Sequence, residues 1–151
     1  MITVSDHIIR LINHNDYKSK VSMGRFSTPL IKAIHEKYGI DTSGYSHVLD
    51  LSGVKHILKR HSFLQDNHRK DNIPVTFRSF DLIPEVIHNY DELRFPGKDK
   101  RGLFLVVFIK KINGHTYFIE EIRSPRKKEA ALLTMYITKN LKETKPKHDL
   151  L

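Results

Sequence analysis

One short segment of the chain concentrates side chains suited to proton transfer and phosphate binding. It reads Val54-Lys-His-Ile-Leu-Lys-Arg-His61. Histidine has an ordinary pKa near 6.5, so it can act as an acid or a base close to neutral pH. Phosphodiester cleavage requires such a group beside fixed cations. The segment therefore predicts a site built from His56, Lys55, Lys59, Arg60 and His61.

Helical geometry limits how these residues can act together. His56 and Arg60 are four residues apart and share a helix face, whereas His56 and His61 lie about 140° apart around the axis. That angle argues against a two-histidine metal site, and no glutamate stands between them as in H-E-x-x-H. His61 also lies on the apolar stripe of Val54, Ile57 and Leu58, so it is either a core histidine or enters a cleft where the helix ends. The three cations of the segment, Lys55, Lys59 and Arg60, either form a solvent-exposed helix face or bind phosphate.

A second group of candidates lies on the predicted last strand. Alternation places Leu133, Met135 and Ile137 on one face and Thr134, Tyr136 and Thr138 on the other. The polar face is either a solvent-exposed surface, whose threonine and tyrosine residues are there because they favour strand structure, or a surface whose Thr134 and Tyr136 hydroxyls contact a phosphate.

The end of the preceding strand and the basic turn after it supply further charges. Glu121 and Arg123 share a strand face, so either they only pair with each other or Arg123, at the strand end, contacts a phosphate. The predicted substrate-binding residues here are Glu121, Arg123, Arg126 and Lys127, in addition to Lys55 and Lys59 on the helix.

The elements that must position these residues change type along the chain. Helical spacing and capping residues predict four helices. The first spans 5–13 with Ser5 or Asp6 as N-cap, and the second runs from Ser27 to Gly39. The third spans 52–61 with Ser52 as N-cap, and the fourth starts at Ser79 or Asp81 as N-cap and ends at residue 88. A short strand is predicted at 73–77, then strands at 102–109, 115–122 and 130–138, with an Asn113-Gly114 two-residue hairpin turn. N-terminal helices on a C-terminal antiparallel sheet make an α+β fold.

Composition narrows the class of protein. The 151 residues predict one domain, 1–138, and a basic, mobile tail, 139–151. Without cysteine, a disulfide scaffold, a cysteine-zinc site and a thiol nucleophile are excluded. The chain shows no signal-peptide pattern and no apolar run of membrane-spanning length. Its 26 Lys and Arg against 17 Asp and Glu give a net charge of +9, which favours a polyanionic partner such as nucleic acid.

Taken in order, several motifs resemble one known family. They are Val21-Ser-Met-Gly24, Lys37-Tyr-Gly-Ile40-Asp41, the 54–61 segment, Asp81-Leu-Ile-Pro-Glu-Val-Ile87, a long hairpin, and Leu133-Thr-Met-Tyr136. Over about residues 20 to 138, this order is similar to the phage-associated barnase–EndoU–colicin E5/D–RelE-like nuclease domains. The resemblance implies helices packed on a four-stranded antiparallel sheet and RNA cleavage without a metal. It assigns catalytic roles to His56, Arg60, His61, Thr134 and Tyr136, and places the end of the family's hairpin at Glu120, Glu121 and Arg123.

The function expected from this resemblance is that of a toxin-like, metal-independent endoribonuclease without cofactors. Its expected partners are RNA, such as tRNA or another structured RNA, and an acidic immunity or antitoxin protein, with no membrane. It is expected to act in the cytoplasm of its own cell or of a target cell. Two other functions fit the same residues: a non-catalytic nucleic-acid-binding module, and a phage structural or packaging accessory protein.

Overall fold

The computed structural model describes residues 3–16, 18–61, 72–73, 75–112, 114–123 and 126–139. Helices α1 to α4 span Val4–Asn13, Thr28–Tyr38, Leu51–His61 and Ile83–His88, with a 3₁₀ helix, Phe77–Leu82, before α4. Strands β1 to β7 span Lys20–Arg25, Ser46–Asp50, Asn72–Ile73, Glu92–Lys98, Phe104–Lys111, His115–Ile122 and Glu129–Thr138. The helices lie toward the N-terminus, and the predicted α+β class is confirmed.

All seven strands join one mixed sheet, in the order β1-β2-β7-β6-β5-β4, with β3 paired to the end of β7. Strands β7, β6, β5 and β4 are mutually antiparallel neighbours, which is the four-stranded sheet that the resemblance implies. The sheet is larger than predicted because β2 adds to β7 in parallel and β1 pairs with β2. None of β1, β2 and β4 was predicted from the sequence.

The helix boundaries follow the local capping chemistry. Helix α2 begins and ends as predicted: the Ser27 hydroxyl accepts from the Leu30 N–H (3.3 Å), and Gly39 adopts the left-handed conformation (φ 71°). Helix α3 is capped by Asp50 instead of the predicted Ser52, since Asp50 Oδ1 accepts from the Gly53 N–H at 2.9 Å.

Two more predicted caps are wrong, and two of the predicted cap residues, Ser5 and Asp81, bond to each other instead. The N-cap of α1 is Thr3, which forms a reciprocal capping box with Asp6. Ser5 lies inside the helix and donates its N–H and hydroxyl to the Asp81 carboxylate, at 2.8 and 2.9 Å. The Asp81 carboxylate is therefore bound to α1 and does not cap α4. The chain before α4 forms the 3₁₀ helix, which has a capping box at Thr76.

The C-terminal strands lie close to their predicted positions, with two local differences. Lys111 pairs with His115, so the β5–β6 connection has three residues, 112–114, instead of two. Its glycine, Gly114, has a φ of 111°, a conformation that favours glycine. In β7, Ile119 pairs with Thr134 but Glu120 pairs with Leu132, so Leu133 is an extra, bulged residue.

Buried side chains form a core on each face of the sheet. The larger core joins the helices to the sheet through residues such as Leu30, Ile57, Val86 and Phe118. The smaller core contains strand residues only: Leu105, Val107, Ile109, Tyr117 and Ile119, with Leu133 and Tyr136 packed against them. Because of the bulge, Leu132 joins the helix-side core and Leu133 the opposite face, which corrects the simple alternation predicted for β7.

No helix in the described ranges combines the length and the apolar character that a membrane crossing requires. Of the loop predicted at 66–72, residues 66–71 lie outside the described residues, and Asn72 is the first residue of β3 instead of a loop residue. Most of the predicted tail, 140–151, also lies outside the described residues, and Lys139 is exposed.

Candidate active site

A charged cleft with two lobes lies where β1, β2, α3, β6 and β7 meet the β4–β5 turn. Both lobes are lined by Asp50, Arg101, Glu121 and Arg123. The large lobe, of about 470 Å³, adds Lys20, Leu103 and Lys127. The small lobe, of about 210 Å³, adds Ser52, Gly53, His56, Leu132 and Leu133. The two lobes are therefore neighbours that share these four charged residues.

The floor of this cleft is an ion-pair network centred on Arg123. Its guanidinium donates to Glu129 at 2.7 Å, to Asp50 at 2.9 Å and to Glu121 at 3.4 Å. Burial alone would lower the pKa of Arg123, but the bonds to Glu129 and Asp50 outweigh it and raise that pKa. Arg123 therefore stays a fixed cation that joins β6 to β7 and to the start of α3.

Glu129 is also held by Lys20, whose ammonium lies 2.7 Å from Glu129 Oε1. Burial raises the pKa of Glu129, but the hydrogen bonds from Lys20 and Arg123 outweigh it, so this pKa lies below its ordinary value. The carboxylate thus remains ionised at neutral pH and fixes both cations in the cleft.

Arg101 is the most exposed cation of the network. Its side chain is 57% exposed, and its guanidinium donates to Glu121 and, at 2.9 Å, to Asp99. Asp99 is buried and also accepts the N–H groups of Arg101 (2.8 Å) and Leu103 (3.0 Å), which shapes the β4–β5 turn. Arg101 therefore combines a rigid backbone with a solvent-accessible charge at the junction of the lobes.

His56 reaches the small lobe because α3 lies against the edge of β7. Helix α3 starts directly after β2, and a Cβ at Gly53 would lie 2.7 Å from the Leu132 carbonyl oxygen, so glycine permits this close approach. The helix presents Val54 and Ile57 to the helix-side core. His56, half-buried on another side of the same helix, lines the cleft.

The structure brings together His56, Glu121, Arg123 and Lys127 of the residues predicted from the sequence. Lys55 and Lys59 are exposed on α3, and Lys55 donates to the Asn15 side chain at 3.2 Å. Arg126 is exposed on the β6–β7 turn beside Lys127. The side chains of Arg60 and His61 lie outside the described part of the structure.

Thr134 and Tyr136 lie on the sheet face that carries Glu121, farther along β7. Tyr136 stacks on Tyr117, with ring centroids 4.7 Å apart and planes at 8°. Thr134 is only 2% exposed, and its hydroxyl has no hydrogen-bond partner among the described residues. Neither residue is among the described residues that line the cleft, and their catalytic role stays a prediction.

Sequence reasoning missed Asp50, Arg101 and Lys20. Asp50 and Arg123 are 73 residues apart in the chain, so their pairing depends on β2 and β6 lying on either side of β7. The one local signal was the position of Asp50 three residues before Gly53, which is typical of a helix N-cap.

A second ionisable pair lies in the helix-side core, away from the cleft. His47 and Glu120 are 0% and 1% exposed, and His47 Nδ1 lies 2.7 Å from Glu120 Oε1. Burial raises the pKa of Glu120, and the charge and hydrogen bond of His47 offset part of this effect. The neighbouring glutamates therefore differ: Glu120 is buried with His47, and Glu121 belongs to the cleft.

Within the described ranges, no three histidine, aspartate or glutamate side chains are grouped as metal ligands. The carboxylates of the cleft accept hydrogen bonds from Arg101, Arg123 and Lys20 instead. The charge arrangement is suited to an oxyanion that competes with these carboxylates for the cations.

The comparisons with known proteins agree with this chemistry. Residues 25–145, well over half of the chain, match the model of a family described as phage-Barnase-EndoU-ColicinE5/D-RelE like nuclease3. Neither the curated proteins nor the solved structures contain a significant match. On the family match, the chain belongs to this phage-associated, barnase–EndoU–colicin E5/D–RelE-like family of nucleases.

Proposed function

We propose that the protein is an endoribonuclease that cleaves RNA without a metal ion. A ribose 2′-hydroxyl attacks the adjacent phosphorus, the P–O5′ bond breaks, and the products are a 2′,3′-cyclic phosphate and a 5′-hydroxyl. The observation that carries the proposal is the position of His56, which lines the small lobe together with Arg101 and Arg123. A proton-transfer group and two guanidinium groups thus border a single small space.

Two proton transfers are required, and the α3 histidines supply them. One histidine removes the 2′-hydroxyl proton and the other protonates the leaving 5′-oxygen, for which an ordinary pKa near 6.5 is well suited. We assign the two roles to His56 and His61 without ordering them. General acid–base catalysis contributes about 10²–10⁴-fold per group.

Electrostatic stabilisation of the phosphorane supplies much of the remaining acceleration. Arg101 is half-exposed, and its guanidinium can exchange Glu121 for a phosphate oxygen with little movement of its rigid turn. Arg123 is held by three carboxylates, so its charge is fixed before the substrate arrives. A donor preorganised in this way stabilises a developing oxyanion by about 3–4 kcal/mol. Thr134 and Tyr136 are proposed to assist through their hydroxyls, as the family resemblance implies.

The ion pairs of the cleft support a mechanism that needs no metal. Asp50, Glu121 and Glu129 each accept a hydrogen bond from Arg123. Their negative charge is therefore already compensated, and a divalent cation would have to displace a bound guanidinium to use them.

The test is cleavage of a mixed-sequence RNA in excess EDTA, with analysis of the new ends. We expect cleavage by the wild-type protein, with 2′,3′-cyclic phosphate ends, and a loss of at least about 10²-fold in H56A. His35, which is exposed on α2 outside the cleft, provides the control: H35A should cleave like the wild type. The melting temperature of H56A should change little, because His56 is half-buried at the rim of the cleft.

Other results of the same assay would replace this proposal. Loss of cleavage in EDTA would indicate a metal-dependent nuclease. Binding without cleavage would support the nucleic-acid-binding module, and neither binding nor cleavage would support the phage accessory protein. If RNA is cleaved, we expect the protein to act as a toxin in the cytoplasm of its own cell or of a target cell, and to be controlled by an acidic immunity protein that covers the cleft.

A further inference from the structure

We propose that the large lobe is a subsite for the nucleotide next to the cleaved phosphodiester, and that it binds this nucleotide by its backbone charge and not by its base. This inference rests on the proposed function. It adds that the shortest RNA that is cleaved efficiently has three nucleotides. It comes from three features of the cleft: the sizes of the lobes, the distribution of cations and the kind of side chain that lines the large lobe.

The two lobes differ in what they can hold. Ligand pockets usually have volumes of about 300–1,000 Å³. The large lobe, of about 470 Å³, falls in this range, whereas the small lobe, of about 210 Å³, falls below it. His56 lines only the small lobe. We therefore place the reacting phosphate in the small lobe and a whole nucleotide unit in the large one.

Of the four cations among the described residues that line the large lobe, Lys20, Arg101 and Arg123 are paired with carboxylates, which leaves Lys127 for a second phosphate. Lys127 is exposed and has no ion-pair partner among the described residues. It lies on the β6–β7 turn, which is at the same end of the sheet as the β4–β5 turn because Leu105 pairs with Glu121. Further exposed cations at this end of the sheet are Lys98, the last residue of β4, and Lys100, Arg126 and Lys128 on the two turns. A second phosphate at this rim would be bound by charge.

The lining also indicates how the flanking nucleotide is recognised. None of the described residues that line the large lobe is aromatic, and its one apolar side chain is Leu103. Proteins that hold single-stranded bases by stacking use aromatic side chains for this purpose. The subsite is therefore expected to tolerate any base and to depend on salt.

The experiment compares a dinucleotide, which has one phosphodiester, with two trinucleotides that extend it by one nucleotide on the 5′ or the 3′ side; in all three, the nucleotide before the cleaved phosphodiester is the only ribonucleotide and the others are 2′-deoxynucleotides, so a single bond can be cleaved. We expect one trinucleotide to be cleaved with a kcat/KM about tenfold higher than the dinucleotide, since it adds one charge-assisted phosphate contact. The added contact should steepen the slope of log(kcat/KM) against log salt by about 0.7. Changing the added base among the four should alter kcat/KM by less than about threefold.

Lys127→Gln supplies the variant, and Lys32→Gln, the same change on the exposed surface of α2, supplies the control. K127Q should reduce the trinucleotide-to-dinucleotide ratio of kcat/KM severalfold, and K32Q should keep the wild-type ratio. Equal cleavage of the dinucleotide and both trinucleotides, or an unchanged ratio in K127Q, would overturn the subsite while leaving the proposed nuclease intact. Failure of the wild type to cleave any of these RNAs or a long RNA would overturn the proposed function instead.

Discussion

Asp50 connects the fold of the protein to its candidate site, and removing its carboxylate should affect both. One carboxylate oxygen accepts the Gly53 N–H at 2.9 Å and caps α3, while the other accepts Arg123 Nη2 at 2.9 Å. His56 stands one helical turn after Gly53, on the helix that this cap begins. We therefore predict that Asp50→Ala weakens the start of α3 and the anchoring of Arg123 together.

The expected loss of stability can be worked out from these two contacts. Loss of an N-cap costs about 1 kcal/mol. Loss of a charge-assisted hydrogen bond costs about 1.5–3 kcal/mol. The lower value applies here because Arg123 keeps Glu121 and Glu129 as partners and its side chain is 20% exposed. D50A should therefore be less stable than the wild type by about 2–3 kcal/mol.

Asp50→Ser separates the two contacts, because a serine hydroxyl caps a helix but cannot pair with Arg123. D50S should lose about 1.5 kcal/mol, or roughly half the effect of D50A. The control is Ser27→Ala, which removes the cap of α2 without touching the cleft and should cost about 1 kcal/mol. RNA cleavage should fall in D50A and D50S but not in S27A.

Urea unfolding followed by far-UV circular dichroism measures these differences, since the chain has no tryptophan. Cleavage is measured on the same preparations at a temperature where every variant is folded. A D50A variant within about 0.5 kcal/mol of the wild type, or a folded D50S that cleaves RNA at the wild-type rate, would show that Asp50 does not have this double role.

Three further predictions test other parts of the molecule. Gly53→Ala should destabilise the protein by about 1–3 kcal/mol in urea unfolding, because the new Cβ would lie 2.7 Å from the Leu132 carbonyl oxygen. The Glu120→Gln variant tests the pH dependence of stability. Burial raises the native pKa of Glu120 above its ordinary value of 4.5. The stability that protonated Glu120 contributes is therefore present below pH 4.5 and is lost as the pH rises through the raised pKa. The stability of the wild type relative to E120Q should therefore decrease from pH 4.5 upwards, and a constant difference would contradict this. Tyr136→Phe keeps the ring stacked on Tyr117, so it should change stability by about 1 kcal/mol or less while slowing RNA cleavage in a gel assay.

Local sequence signals predicted those elements whose ends depend on their own residues. Helix α2 is the clearest case, because Ser27, Pro29 and Gly39 mark its boundaries without help from the rest of the chain. Strands β1 and β2 gave no such signal, since β1 is polar and is held by pairing with β2. The bulge at Leu133 was equally invisible, because a single extra residue in β7 is defined only by its pairing with β6.

The candidate site was predictable where residue type alone indicates chemistry. His56, Glu121 and Arg123 were singled out for that reason, and the structure places them around one cleft. Asp50 and Arg101 were not, because an aspartate before a helix and an arginine in a turn are common. Their importance arises from tertiary contacts with Arg123 and Glu121, which only the sheet order creates.

The proposed mechanism requires a 2′-hydroxyl of the substrate as the attacking group. It is tested most directly by an oligonucleotide with a single ribonucleotide at the cleavage position, compared with the same oligonucleotide carrying 2′-deoxyribose there. We expect the wild-type protein in EDTA to cleave the first to a 2′,3′-cyclic phosphate and to leave the second intact. Cleavage of the 2′-deoxy substrate at a comparable rate would rule out the 2′-hydroxyl as the attacking group.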